Sequence, residues 1–281
     1  MSAQIREITP RFFKPKTTIV LFAGRGHGKT SIIKWIMYYW QNKIRLPIVL
    51  SETAEVNHDY DDIVPMSCVH KNFSEDLITR ILAYNYGLKQ LSETKPYRKK
   101  VMQTLLVLDD VDNDKKFKNS SAVKSLFYNG RHSNMTLIIT AHDPMSLGSH
   151  NRGNIDYIIL RNLRTKKDHE KFYANYCDPK LVSLDDFLKI AKTCTAECNN
   201  SLVLDNTAKD VHSISDCMFC LNTRHPDELP NFRLGSKCIW KVHDKRYDKA
   251  WQQRRFSSML KTMGTADVVI KRKKKSPGIK I

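Results

Sequence analysis

The stretch Thr17 to Ser31, TTIVLFAGRGHGKTS, constrains this chain more than any other, because it joins an apolar strand, a glycine-studded turn and a Gly-Lys-Thr that opens a helix. Such a unit belongs to a sheet with helices packed across it, and its turn is a phosphate cradle. Gly24, Gly26 and Gly28 let the backbone curl, so that successive N–H groups face the β- and γ-phosphates at the positive end of the following helix dipole. Arg25, His27 and Ser31 complete the expected nucleotide-binding loop. Lys29 would reach the terminal phosphates and Thr30 would ligate Mg²⁺. The pattern G-x-x-x-x-G-K-[ST] is not met to the letter, since Ala23 stands six residues before the lysine. The flanks argue against a chance Gly-Lys-Thr: Thr18–Phe22 reads as a buried strand, and Ile32–Trp40 is apolar enough for a largely buried helix.

A triphosphate cradle needs a carboxylate to hold Mg²⁺, and Leu105-Leu106-Val107-Leu108-Asp109-Asp110 supplies one. Four aliphatic residues make a strand buried on both faces, so the acids emerge at its carboxyl end, where ligands of open α/β sheets bind. Asp109 is expected to hold the metal through its water shell. Asp110 occupies the place of a general base that orients the attacking water. The competing reading of Asp110, and of Asp112 and Asp114 after it, is a solvated acidic turn or helix cap.

The apolar segments follow the order of a doubly wound sheet: Thr18–Phe22, Ile48–Leu50, Leu105–Leu108, Thr136–Thr140, Ile155–Leu160 and Ser201–Leu204. Leu77, Ile81, Tyr84, Leu88 and Leu91 recur at spacings of three and four, which predicts a helix with that face on the sheet. One strand intervenes between phosphate loop and metal carboxylate, and Leu137-Ile138-Ile139-Thr140-Ala141-His142 follows as another strand with a polar end. The expected fold class is therefore α/β: a P-loop NTPase of the additional-strand class, with a mainly parallel sheet sandwiched by helices. In that order His142, or Thr140, takes the γ-phosphate sensor position. A histidine there brings a pH dependence that an amide lacks.

Charge and cysteine content narrow the function. The formal net charge is +18, and residues 231–281 hold 15 Lys/Arg against 3 Asp/Glu. The basic character sits mostly in the C-terminal fifth, which points to a polyanion, nucleic acid ahead of anionic membrane. No apolar run approaches the ~18 residues that span a bilayer, and MSAQIREITPRFF lacks a signal-peptide core, so a soluble intracellular protein is expected. Seven cysteines do not read as a disulfide framework and fit a reducing compartment. Cys217 and Cys220 have zinc-knuckle spacing, and Cys194 with Cys198, or His212 and His225, could complete a tetrahedron. With Met218 and Phe219 reading as core, buried thiols are the preferred account. Arg98-Lys99-Lys100 reads as a solvated face.

The segments SETAEVNHDY (Ser51–Tyr60), LFYNGRHSNMTLIITAHD (Leu126–Asp143), NRGNIDYIILRN (Asn151–Asn162) and LVLDNTAKDVHSISDC (Leu202–Cys217) resemble, in order and spacing, the genome-packaging ATPases of large double-stranded DNA viruses, the poxvirus-type branch of the FtsK-HerA superfamily. The likeness covers about residues 16–222. Departures from the family pattern are Ala23 in the loop and His142, where the family usually carries glutamine. The resemblance implies a homo-oligomeric ring motor, pentamer or hexamer, that hydrolyses ATP with Mg²⁺ to drive double-stranded DNA into a preformed capsid. Capsid proteins become expected partners, and the host cytoplasm or nucleus at the site of virion assembly, or the virion itself, the expected location. In such rings a neighbouring subunit offers an arginine to the nucleotide; Arg131, Arg152 and Arg161 are the candidates, Arg131 first and Arg152 second. Glu52 could couple DNA contact to the attacking water.

Residues 1–226 are expected to form the P-loop ATPase domain and residues 227–281 a basic C-terminal extension. Trp240, Val242, Tyr247, Trp251, Phe256 and Leu260 among Lys245, Arg246, Lys249, Arg254 and Arg255 suggest a basic amphipathic helix. Lys271, Arg272, Lys273, Lys274 and Lys275 would neutralise DNA phosphates, act as a nuclear-import signal, or solubilise the tail. The alternatives to a packaging translocase are a cellular-type DNA helicase or partition ATPase of the same fold and a non-motor NTP-binding switch. A small-molecule kinase would need a lid and an acceptor pocket that the sequence does not display.

Overall fold

Alternate residues of a strand face opposite sides of a sheet, and here both sides are apolar. In a computed structural model, which describes residues 4–94, 103–110 and 115–248, Val20 and Phe22 enter one core while Ile19 and Leu21 enter another. Leu106 and Leu108 pair with the first core, Leu105 and Val107 with the second. A strand so patterned is covered on both faces, which is why the chain adopts a helix–sheet–helix sandwich. Each fully buried Leu, Ile or Phe contributes about 1.5–3 kcal/mol, so these two cores hold the fold.

Among the described residues nine strands form one sheet: β1 (Arg6–Ile8), β2 (Thr18–Phe22), β3 (Ile44–Ser51), β4 (Val69–His70), β5 (Gln103–Asp109), β6 (Met135–Ala141), β7 (Tyr157–Leu160), β8 (Asn200–Asp205) and β9 (Met218–Asn222). Their order is β1-β9-β8-β7-β2-β6-β5-β3-β4. Only β8 runs antiparallel to its neighbours. In space the strand between the phosphate-loop strand β2 and the carboxylate strand β5 is β6, which carries the sensor candidate Thr140. The strand that intervenes in sequence, β3, lies on the far side of β5. The helices are α1 (Lys29–Trp40), α2 (Ala54–Asn57), α3 (Glu75–Glu93), α4 (Lys115–Asn119), α5 (Ser121–Asn129), α6 (Ser149–Arg152), α7 (Lys166–Tyr176), α8 (Leu184–Cys194), α9 (Ile214–Cys217) and α10 (Lys237–Arg246). Apolar residues of α3, α4, α5, α7 and α8 cover one face. On the other, α1 packs through Ile32, Ile33, Ile36, Met37 and Trp40.

Several expectations shift. The second strand begins at Ile44, because residues 44–47 extend the β5 pairing across a register shift. The fifth begins at Tyr157 rather than Ile155, since the Asp156 carboxylate, not a β-ladder contact, receives the Thr18 N–H at 2.8 Å. The buried stripe of α3 is Ile78, Ile81 and Asn85. Tyr84 and Leu91 stay exposed, so that helix is rotated from the expected face. Met218 and Phe219 are core, as expected, with the Cys220 thiol 3.7 Å from the Cys194 carbonyl. The boundary expected at residue 226 is not a packing boundary. Phe232 and Leu234 join the α1-side core, the Leu234 N–H donates to Ile63 O and the Ser236 N–H to Arg45 O, each at 2.8 Å. Of the expected amphipathic helix, α10 lies among the described residues. Arg98–Lys100, Asp112, Asp114, Trp251 and the Lys271–Lys275 run lie outside them.

Candidate nucleotide site

The loop between β2 and α1 explains why Ala23 is tolerated. Ala23 still belongs to the sheet edge: its N–H donates to Ala141 O at 3.3 Å and its side chain is buried. The glycine requirement starts one residue later. A Cβ on Gly24 would lie 2.9 Å from the His27 ring, and Gly28 sits at φ 70° with Arg161 Nη1 2.7 Å from where a Cβ would stand. Gly28 caps α1 without a side-chain hydrogen bond, which leaves the first-turn amides of a 12-residue helix for an anion. Those amides open onto a cleft of about 1130 Å³ lined by Arg25, Gly26, His27, Gly28, Lys29, Thr30 and Ser31. Nothing lies within 4 Å of a Cβ position at Gly26, so the curled backbone has free space above it. These features fit a triphosphate. Thr30 lines that cleft with a hard hydroxyl oxygen that suits Mg²⁺, whereas Asp109, 2% exposed, lines neither this cleft nor the neighbouring one.

Of the two sequence-predicted carboxylates at the end of β5, Asp110 reaches this loop and lines its cleft, and Asp109 does not. Lys29 Nζ stands 3.1 Å from Asp110 Oδ1 and 3.1 Å from His142 Nδ1. His142 Nε2 lies 3.1 Å from the same Asp110 oxygen, and its Nδ1 lies 3.2 Å from Ala23 O. Lys29, Asp110 and His142 therefore form one charged knot between phosphate loop and carboxylate strand. The two sensor candidates part company. The Thr140 hydroxyl donates to Asp109 Oδ1 at 2.8 Å and accepts the Asp110 N–H at 2.8 Å. His142 instead lines a second cavity of about 570 Å³ with Glu52, Asp110, Arg25 and Arg164. Asp110 itself adopts φ 55°, a left-handed backbone that turns its carboxylate out of the strand line.

Asp109 is enclosed. Burial pushes its carboxyl up, and the Tyr60 and Thr140 hydroxyls pull it back. Tyr60 is fully buried and donates to Asp109 Oδ2 at 2.8 Å; burial, then Asp109, raises its phenol well above the usual range, so it stays a donor. Sequence reasoning passed over Tyr60, 49 residues from its partner. The signal was an aromatic beside three aspartates, Asp59, Asp61 and Asp62, which all line the cleft.

The three arginines separate. Arg161 is 8% exposed and donates to Gly28 O at 3.3 Å, so it braces its own loop rather than reaching a neighbour's site, and burial lowers its pKa. Arg152 is held by Asn175 in the last turn of α7, and neither cavity at the site counts it among its lining residues. Arg131 lies at the amino-terminal edge of the sheet, half exposed, 3.3 Å from the buried Asp156. Asp156 in turn takes the first N–H of β2.

Fold and site together define a P-loop NTPase fold of the additional-strand class. The chain belongs to the family described as "Poxvirus A32 protein", which matches residues 11–232; the resemblance carried by the Asn-Gly-Arg-His and Asn-Ile-Asp-Tyr elements holds at family level. Curated relatives include "Uncharacterized protein L437" of Acanthamoeba polyphaga mimivirus, 28% identical over 94% of this chain and 90% of that protein. Another is "Uncharacterized protein 075L" of Invertebrate iridescent virus 6, 26% identical over 68% of this chain and 71% of that protein. Among solved structures, the genome packaging NTPase B204 of Sulfolobus turreted icosahedral virus 2 in complex with AMPPCP superposes with a TM-score of 0.52 and 17% identity, covering 74% of this chain and 97% of that chain. At that identity the likeness concerns the fold. Among the described residues no helix is long and apolar enough to cross a membrane.

Proposed function

We propose that this protein is an ATP-driven double-stranded DNA translocase that packages a viral genome into a preformed capsid, working as a homo-oligomeric ring on capsid partners at the site of virion assembly. The carrying observation is the convergence of Lys29, Asp110 and His142 within 3.1 Å of one another beside the buried Asp109. The family supports the reading: its members come from large DNA viruses, and the fold is shared with a viral packaging NTPase.

The residues divide the chemistry. Gly24 to Ser31 hold the phosphates by backbone N–H groups and the helix dipole. Thr30 and Asp109 would hold Mg²⁺, which supplies charge neutralisation at the β- and γ-oxygens. Lys29 has to leave Asp110 to meet the phosphates, and the freed carboxylate then orients and deprotonates water. His142, already against both, reports to the Ala23 backbone and to the second cavity whether that exchange has occurred. Arg131 is the proposed arginine for a neighbouring subunit; its pairing with Asp156 ties it to the start of β2, so withdrawal and insertion would be felt by the phosphate-loop strand. Arg152 is the second candidate. The run Lys271–Lys275 is the proposed DNA contact.

The test is ATPase rate with and without duplex DNA for the intact chain, Lys29→Ala and Arg131→Ala, including mixtures with intact chain. DNA-stimulated turnover that Lys29→Ala lowers about 10²–10³-fold, and that small amounts of Arg131→Ala poison, supports the motor. Turnover that duplex DNA fails to raise favours the non-motor switch, and strand displacement favours the helicase. Full turnover by Arg131→Ala at saturating DNA removes Arg131 from the trans role.

A further inference from the structure

The cleft extends well beyond its phosphate loop. Its 1130 Å³ exceeds the roughly 300–1,000 Å³ that hold a whole drug-sized ligand. At one end stand Arg25, Lys29 and the amino terminus of α1. Farther along α1, Lys34 stands 3.8 Å from Asp59 and Tyr38 meets the Phe232 ring at 5.5 Å. The lining residues Leu229, Pro230, Asn231 and Phe232, from the segment after β9, therefore form the wall far from the loop, and Asp59, with Asp61 and Asp62 near it in sequence, comes before them. Electrostatics decides which end takes which part of a nucleotide. Lys34 pairs with Asp59 at 3.8 Å and Arg233 lies over the Trp240 ring, which leaves Asp61 and Asp62 to meet a phosphate chain with like charge. A neutral nucleoside meets no such repulsion, and its ribose hydroxyls can donate to carboxylates.

The far wall is built, not draped. Phe232 is buried and meets Tyr38 of α1 edge-to-face at 5.5 Å. The Leu234 N–H is held by Ile63 O at 2.8 Å. Arg233 lies 4.4 Å over the Trp240 ring, whose indole N–H donates to Leu234 O at 2.9 Å. Pro226 and Pro230 remove backbone freedom on either side of Leu229. The segment therefore presents an apolar surface, with the exposed Asn231 amide beside it. An apolar plane takes the face of a base, and an amide offers both a donor and an acceptor to its edge.

Resting on the P-loop reading, we infer that the nucleoside of the bound triphosphate lies against Leu229–Phe232, so the segment past the last strand supplies the base-recognition subsite. Calorimetric titration of the full chain in Mg²⁺ with ATP and with inorganic tripolyphosphate tests it. The wild-type chain should bind ATP about tenfold or more tightly than tripolyphosphate. Leu229→Ala and Asn231→Ala should each erode that margin while tripolyphosphate binding stays unchanged. Equal affinity of the wild type for both ligands overturns the inference, as does a margin that survives both substitutions or a parallel loss of both ligands. Should Leu229→Ala unfold by circular dichroism, Asn231→Ala, a change at an exposed side chain, decides alone. A wild-type chain that binds neither ligand defeats the P-loop reading itself.

Discussion

The phosphate loop and the carboxylate site touch, yet they are made in opposite ways. The loop is one continuous run, Gly24 to Ser31, whose working groups are backbone amides shaped by glycines at φ 79° and 70°. The carboxylate site is assembled from Tyr60, Asp109, Asp110, Thr140 and His142, and its working groups are side chains held by other side chains. A backbone site tolerates changes of side chain wherever no Cβ intrudes, which is how Ala23 is accommodated. A side-chain site has no such slack, because each member fixes the next.

That contrast can be broken in three places. Asp110→Asn should have the largest effect, lowering kcat about 10²–10⁴-fold with nucleotide affinity retained, since it removes the proposed base and not the cradle. Steady-state ATPase combined with equilibrium nucleotide binding checks it; weakened binding of similar size would merge the two sites into one. Lys29→Ala should lower turnover about 10²–10³-fold, the scale of one lost charge-stabilising contact, while also releasing Asp110 and His142 from their knot. Single-turnover rates and binding isotherms together separate those consequences. Tyr60→Phe keeps the ring and removes only the donor to Asp109. Metal affinity should fall about 10–100-fold, as for other groups that orient a ligand. Mn²⁺ binding followed by electron paramagnetic resonance reads this independently of turnover, and an unchanged affinity would mean that Tyr60 merely fills space.

The smallest effect lies away from the site. Glu75 accepts from Ser120, Ser121 and Ala122 at the start of α5, and the Ser120 contact leads the lowering of its carboxyl pKa from 4.5. A lowered folded pKa means that the stabilisation is present above about 4.5 and is lost as pH falls through the folded value. Chemical denaturation of Glu75→Gln should therefore show a slight loss of stability at pH 7 that shrinks progressively as the pH is taken below 4.5. A loss persisting at acid pH would assign the effect to packing.

Much of the backbone site was legible in the chain, because glycine spacing, an apolar strand and an apolar helix are local signals. Asp109 and Asp110 were legible for the same reason: they end an aliphatic run. Their keepers were not. Tyr60 sits in a polar stretch that reads as a loop, and nothing short of the fold brings it to Asp109. Arg161 looked like a candidate for a neighbour, yet its place at the end of β7 puts it under Gly28. The strand β1 was missed because its pairing is long-range, Arg6 beside Phe219; β4 and β9 pair within about twenty residues, with β3 and β8, and were missed because they are only two and five residues long.

By itself the sequence determined the sheet's double-sided burial, the strand–loop–helix cradle and the two acids that follow β5, since each depends on neighbours a few residues apart. The tertiary structure alone decided that β6 separates cradle from carboxylate, that Tyr60 and Thr140 hold Asp109, and that the chain beyond residue 226 returns to wall the cleft. Those are contacts between residues tens to hundreds of positions apart. Local pattern cannot encode them, because they form only when burial of both sheet faces leaves one arrangement in which the polar ends converge.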